Sequence, residues 1–269
     1  MNRTEAIRHR RSVRTFDGRE LRQEEKEKIL DFAKKVQNPY DLAITWEILD
    51  AKKNSLSSPV ITGTDTWIAG KMARVPHAEE AFGYTFEKVV LFAESLGIGT
   101  TWIAGTMDRE AFEHAMRLKD TEVLPCVSPI GYPAGKMSVR ESLMRKGINA
   151  DGRKAFGELF FKDTFDAPLS PMSSGKVAEA LEMVRLAPSA VNRQTWRIVV
   201  CDDCAHLYVK RSKGYVSSDK WDIQKIDMGI ALCHFEIGAE ESGLSVSFEL
   251  QDPGIEVPND LEYIATLRF

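Results

Sequence analysis

Two segments of this chain are apolar on nearly every side when wound as helices, and they stop on glycines 146 residues apart. The first runs roughly from Ala78 to Leu96 (AEEAFGYTFEKVVLFAESL) and stops at Gly97. The second runs from Trp221 to Ser242 (WDIQKIDMGIALCHFEIGAEES) and stops at Gly243. A helix with so little polar face belongs in a core, and glycine best accepts the left-handed turn that closes a helix. Gly83 and Gly229, early in each helix, are also 146 apart, and Trp46 and Trp196, each opening a strand-like run, are 150 apart. A near-constant offset for three landmarks implies two α+β halves of related design. Each half is small for so apolar a helix, so the two helices are expected to pack together in one compact body. The halves are read as residues 1–165 and 166–269. The stretch from about Met137 to Pro171, of mixed charge and with several glycines, is the expected crossover.

The remaining elements follow from periodicity. In the first half a helix is expected over Glu20–Val36, where Leu21, Ile29, Leu30, Phe32, Ala33 and Val36 form a stripe. A strand starts near Trp46, Ser57–Thr62 is a second strand or extended piece, Asp108 caps a short helix, and Glu122–Gly131 is a strand. In the second half a helix capped by Ser173 or Ser174 precedes the strands TWRIVVCDD, LYVKRS, SVSFEL and LEYIATLRF.

Composition excludes several classes. Of 269 residues, 43% are hydrophobic and 28% charged, with a net charge of -4, which argues against a dedicated nucleic-acid binder. The N-terminal MNRTEAIRHRRSVRTF has charge but no apolar segment behind it, and no run approaches the length of a membrane helix. A cytoplasmic location is expected. The cysteines are Cys126, Cys201, Cys204 and Cys233, too few for a disulfide scaffold. Cys201 and Cys204 form one C-x-x-C, CDDC, which raises a redox pair or half a zinc site. Two thiolates do not fill a tetrahedral site, no second C-x-x-C exists, and this one follows a strand where a redox pair usually opens a helix. They are read as turn residues.

Four motifs carry chemistry. RHRRSVRTF sets Arg8, Arg10, Arg11 and Arg14 around Ser12, a set of forks and a hydroxyl suited to phosphate; a solvated basic terminus or an RNA-binding arm is the other reading. RLAPSAVNRQTW offers Ser189 and Asn192 to a heteroaromatic edge or a sugar chain, with helix-end turn chemistry as its simpler explanation. GIGTTWIAGTM could let backbone N–H groups approach a ligand, but it lacks the dinucleotide glycine pattern. GYPAGKMSVRESLMRKG and DGRKAF add Arg140, Arg145, Lys146, Arg153 and Lys154. SSGK, Ser173–Lys176, lacks the upstream glycine of a phosphate loop and reads as a helix cap.

Taken together, these motifs resemble the FMN-dependent nitroreductase family. RRSVRTF is similar to its N-terminal arginine signature. APSAVNRQTW is similar to its Ala-Pro-Ser-x-x-Asn-x-Gln-Pro-Trp loop, with Thr195 in place of proline. SLGIGTTWIAG and IGYPAGK are similar to its glycine-rich and Gly-Tyr-Pro segments. The two-half arrangement resembles the branch called "putative TM nitroreductase". The resemblance implies a three-layer α+β nitroreductase-like fold. It also implies a fused pseudo-dimer, with the arginine motif, glycine-rich turn and late basic residues drawn from one half and the Ser-Asn loop from the other. The first half has VQNPYDLAITW where that loop would stand, and the second has DAPLSPMSSGK where the arginines would stand. One FMN per chain is therefore expected.

By the same resemblance, Arg10, Arg11 and Ser12 would hold the phosphate and ribityl end, with Arg153 or Lys154 closing over it. Arg14 would lie near the N1/O2 edge, and Ala104 and Gly105 would present backbone N–H groups near N5 and O4. Pro188, Ser189, Ala190 and Asn192 would pack on the ring. No metal and no proton-shuttling side chain is implied. The expected activity is ping-pong hydride transfer from NADH or NADPH through FMN to a nitroaromatic, quinone or similar small acceptor. The alternative is an FMN carrier or sensor without turnover. A monomer containing its own pseudo-dimer is expected, with no nucleic-acid or membrane partner.

Overall fold

The first unit, Met1–Ala150, is organised by Trp46. Its strand β1 (Ile44–Asp50) pairs antiparallel with β2 (Thr66–Ala73), from Ile44 opposite Met72 to Asp50 opposite Thr66. Trp46 faces Gly70 in this register, and a Cβ at Gly70 would lie 2.4 Å from the indole. The indole also packs on Phe82 and Phe86, ring centroids 5.6 and 5.1 Å away. Both belong to the buried helix Ala78–Ser95, closed by Gly97 at φ +73° as expected. The sheet continues through β5 (Val127–Gly131) to β3 (Gly99–Thr100), while β4 (Glu122–Val123) pairs with the far end of β2. The fold is a computed structural model describing residues 1–212 and 221–269.

Five further helices complete this unit. They are α1 (Arg3–His9), α2 (Gln23–Lys35), α3 (Ala51–Asn54), α5 (Arg109–Ala115) and α6 (Val139–Gly147), with Ala78–Ser95 as α4. Asp108 caps α5 as expected, accepting from the Ala111 N–H at 3.3 Å.

The second unit, Asp151–Phe269, repeats the plan. Strands β7 (Trp196–Val200), β8 (Cys204–Lys210), β10 (Leu261–Arg268) and β9 (Ser247–Glu249) lie in that order, all antiparallel. Chain order and spatial order match β1, β2, β5 and β3, and the buried helix α9 (Ile223–Glu241) enters after the second strand, as α4 does. Helices α7 (Phe156–Leu159) and α8 (Ala178–Leu186) precede β7. The largest difference is the connection between the first two strands. It is a long excursion through α3 in the first unit and a tight turn at Cys201–Cys204 in the second. The short strand β6 (Phe160–Lys162) adds parallel to β7, and Phe161 bridges Pro168 on its other side.

Several expectations need correction. The division falls after Ala150, not at 165, because β6 belongs to the sheet of the second unit. Ser57–Thr62 is a turn, with the Ile61 N–H on Ser58 O, and the second strand is Thr66–Ala73. That strand is buried on both faces up to Met72, so it has no alternation to read. Glu122–Gly131 breaks at Pro125 into β4 and β5. Neither Ser173 nor Ser174 caps α8; Ser170 caps the short 3-10 turn before it.

Candidate functional site

In the first unit the arginine motif is an extended segment between the end of β3 and the turn that finishes at Thr62. The Val13 N–H donates to Thr100 O at 2.8 Å, Thr62 N–H donates to Arg14 O at 3.0 Å, and Phe16 N–H donates to Thr62 O at 2.9 Å. Val13 is buried, and a Cβ at Gly99 would lie 2.9 Å from its side chain. That glycine therefore serves close packing of the motif. Alternation along the extended segment sends Ser12 and Arg14 to the side opposite Val13.

Arg14 is held in an unusual state. Its Nε and Nη1 are buried without a hydrogen-bond partner. Burial lowers its pKa, opposed by Glu141 and reinforced by Arg145. Glu141, on α6, is 1% exposed, and Arg11 Nη1 lies 3.2 Å from its Oε1. One buried carboxylate thus faces Arg11 and Arg14, with Arg145 close by, and positive charge is in excess. Unsatisfied N–H groups in that setting call for an acceptor, preferably an anionic or electron-rich one. Near the end of α4, burial raises the Glu94 carboxyl, and Arg10, His9 and Arg11 pull it back. Arg10 and Arg11 therefore sit in a partly balanced field.

Ala104 and Gly105 follow Thr100 in the same unit. Arg109 staples this turn, with Nη2 donating to Ala104 O at 3.0 Å and Nη1 to Leu124 O at 2.6 Å. Nothing lies within 4 Å of where a Cβ on Gly105 would stand, so the backbone there is open. The Trp102 indole N–H donates to Glu87 Oε2 at 3.0 Å, which fixes the segment just before it.

In the second unit the Pro188–Gln194 loop is largely bonded to itself and its neighbours. Ser189 Oγ accepts the Gln194 N–H at 2.8 Å, and Asn192 Nδ2 donates to Gly152 O at 2.9 Å. Gln194 Oε1 accepts the Lys154 N–H at 2.8 Å, and its Nε2 donates to Asn192 Oδ1 at 3.1 Å. Asp227 Oδ1, from α9, accepts the Ala190 N–H at 2.9 Å. Val191, Asn192 and Gln194 take positive φ of 43°, 56° and 51°. Three non-glycine residues in that region within four positions store strain, held in place by these bonds.

The structure therefore groups the expected residues as two sets. Arg10, Arg11, Ser12, Arg14, Ala104 and Gly105 belong to the first unit. Pro188, Ser189, Ala190 and Asn192 belong to the second, as do Arg153 and Lys154, whose segment bonds to the loop through Gly152 and Gln194. Burial lowers the Lys154 pKa, with Arg197 the next cause. Sequence reasoning missed Glu141, Arg109, Gln194 and Asp227. Only Gln194, inside the quoted loop, had a local signal.

Against known proteins, residues 2–239 match the family described as "Putative TM nitroreductase". The chain belongs to that family. Its members are oxidoreductases by class, and no helix here is long and apolar enough to cross a membrane. The fold is shared with a crystal structure described as a "putative nitroreductase" from Thermotoga maritima. That protein is 24% identical, covers 100% of this chain and 94% of its own, and has a TM-score of 0.63. A nitroreductase family protein from Clostridium novyi is 18% identical, covering 50% of this chain and 87% of its own, at a TM-score of 0.43. An FMN-dependent nitroreductase from Clostridium difficile is 19% identical, covering 52% and 94%, at 0.42. Comparison with curated proteins gave no match.

Proposed function

We propose that this nitroreductase-family chain is an FMN-dependent oxidoreductase that carries hydride from NADH or NADPH to a nitroaromatic, quinone or similar small acceptor. The observation that carries the reading is Arg14, whose buried Nε and Nη1 have no partner. Buried N–H groups of this kind call for an acceptor, which the N1/O2 edge of an isoalloxazine ring would supply. Bound FMN would supply the two-electron chemistry.

The chain's own residues do the rest. Arg14 would stabilise negative charge growing on the ring edge, and its desolvated setting strengthens that effect. Arg10, Arg11 and Ser12 would hold the phosphate and ribityl chain. Arg11 shares this duty with Glu141, whose carboxylate fixes its fork. Arg109 pins Ala104 and so sets the direction of the backbone at Gly105. In the second unit Pro188, Ser189, Ala190, Asn192, Arg153 and Lys154 are assigned to flavin binding on the resemblance alone. The shared strand order of the two units favours a tandem duplication. The first half's lack of the Ser-Asn loop and the second half's lack of the arginines favour one FMN per chain, and the resemblance to a fused pseudo-dimer favours a monomer in solution.

The test is an absorbance spectrum after FMN addition and desalting, followed by anaerobic NADH and NADPH. One FMN per chain, bleached by a pyridine nucleotide, is expected, and Arg14→Met should lower FMN retention at least tenfold. Retention without bleaching would replace the enzyme with a carrier or sensor. A ratio near two would overturn the asymmetric duplication.

A further inference from the structure

In the second unit, one strand beyond the Pro188–Gln194 loop, the turn between β7 and β8 and the strand that leaves it bring three donor atoms together. Cys201 and Cys204 flank the turn, with the Cys201 N–H on Cys204 O at 2.8 Å. His206 follows two residues later, so its side chain leaves β8 on the same face as that of Cys204. Both Cys204 and His206 are buried, while Cys201 is partly open to solvent. Cys204 Sγ lies 3.3 Å from His206 Nε2, and the donor atoms of all three residues lie within 4.8 Å of one another.

The histidine is also oriented from behind. Tyr263 donates its only hydroxyl hydrogen to Gln251 O at 2.8 Å, so it accepts from Thr266 Oγ1, also 2.8 Å away. Thr266 has then used its own hydrogen and must accept from His206 Nδ1, 2.8 Å away. This relay places the imidazole proton on Nδ1 and leaves the Nε2 lone pair aimed at Cys204. Such support of the remote nitrogen is the usual outer shell of a metal-binding imidazole.

We propose that Cys201, Cys204 and His206 form a metal site for zinc(II), with solvent in the fourth position. The ligand set is two thiolates and one neutral imidazole, which suits a soft-tolerant d10 ion. Bond lengths of about 2.3 Å to sulfur and 2.0 Å to nitrogen put tetrahedral donor atoms about 3.5–3.8 Å apart. The Cys204–His206 separation needs to open by only a few tenths of an ångström. Each thiol releases its proton as it binds, and the two thiolates neutralise the ion. The site uses none of the residues assigned to flavin.

The experiment is a cobalt(II) titration of the full-length, reduced, metal-free protein without oxygen, read as difference spectra so that any bound flavin cancels. The expected result is a thiolate-to-cobalt band with intense visible bands of tetrahedral geometry. These should saturate at one ion per chain and be displaced by one equivalent of zinc. Cys204→Ser and His206→Gln should abolish the bands, and Cys126→Ala should keep them. Thr266→Val should keep the bands but weaken binding roughly 10- to 100-fold, because the imidazole loses its anchor. Absence of the bands in folded wild-type protein would overturn the proposal, as would bands that survive both ligand substitutions. A Cys201–Cys204 disulfide forming in air, with no metal bound by the reduced protein, would overturn it in favour of a redox pair.

Discussion

Asp227 offers a direct test of how the Ser189–Gln194 loop is held. Its carboxyl is 2% exposed, Oδ1 accepts the Ala190 N–H, and Oδ2 is buried without a partner. Burial pushes its pKa well above the usual carboxylate value, the Ala190 bond offsets part of this, and Asp222 adds to the rise. The folded chain therefore holds this proton more tightly than the unfolded chain. The loss of stability is absent below the unfolded pKa of about 3.9 and grows as pH rises toward the folded pKa. Its ceiling is about 1.4 kcal/mol per pH unit, or about 2.7 kcal/mol between pH 4.5 and 6.5. Asp227→Asn keeps an oxygen for the Ala190 N–H and removes the titration. Urea denaturation of both proteins at pH 4.5, 5.5 and 6.5 should give a difference that widens with pH in favour of the variant. Asp227→Leu should instead lose the loop and with it flavin retention. A difference between Asp227→Asn and wild type that stays constant with pH would refute the buried, proton-holding carboxyl.

Other substitutions probe separate links. Gly70→Ala should lower the first unit's stability by about 1–3 kcal/mol, since the new methyl would lie 2.4 Å from the Trp46 ring; thermal melts read this directly. Gln194→Ala removes the bonds to the Lys154 N–H and to Asn192, and should cost about 1–3 kcal/mol. Faster amide exchange at Lys154 would report the release. Lys71→Met leaves Glu122 without its 2.8 Å partner. Glu122 is held below its usual pKa chiefly by that Lys71 bond, so the wild type should lose stability as pH falls through the low carboxylate range. The variant should show a shallower acid transition by circular dichroism.

The elements easiest to read in the sequence were those whose burial is complete or strictly one-sided. Both long helices announced themselves by apolar residues on every side and a glycine stop. The strand Thr66–Ala73 did not, because Gly70 and Lys71 interrupt it for reasons only the fold supplies. Gly70 makes room for Trp46, and Lys71 is neutralised by Glu122, 51 residues away. The polar loop after α8 stood out by composition, yet most of its polar groups turn out to bond one another. Glu141 and Asp227 were illegible for a related reason. Each is an ordinary acid in its own helix, and its meaning comes from a partner 130 or 37 residues distant. His206 falls between the expected strands TWRIVVCDD and LYVKRS, and only β10, which places Thr266 beside it, gives it a role.

The placement of β6 has a consequence for how the chain can be cut. Its three residues close the outer edge of β7, and beyond them the chain turns back to Pro168, which has no N–H to offer a further strand. A fragment starting at residue 166 would strip that cover and bare the hydrogen-bonding edge of Trp196–Val200, apolar but for Arg197. Such an edge templates other copies, so that fragment should self-associate, whereas one starting at residue 151 carries its own edge guard.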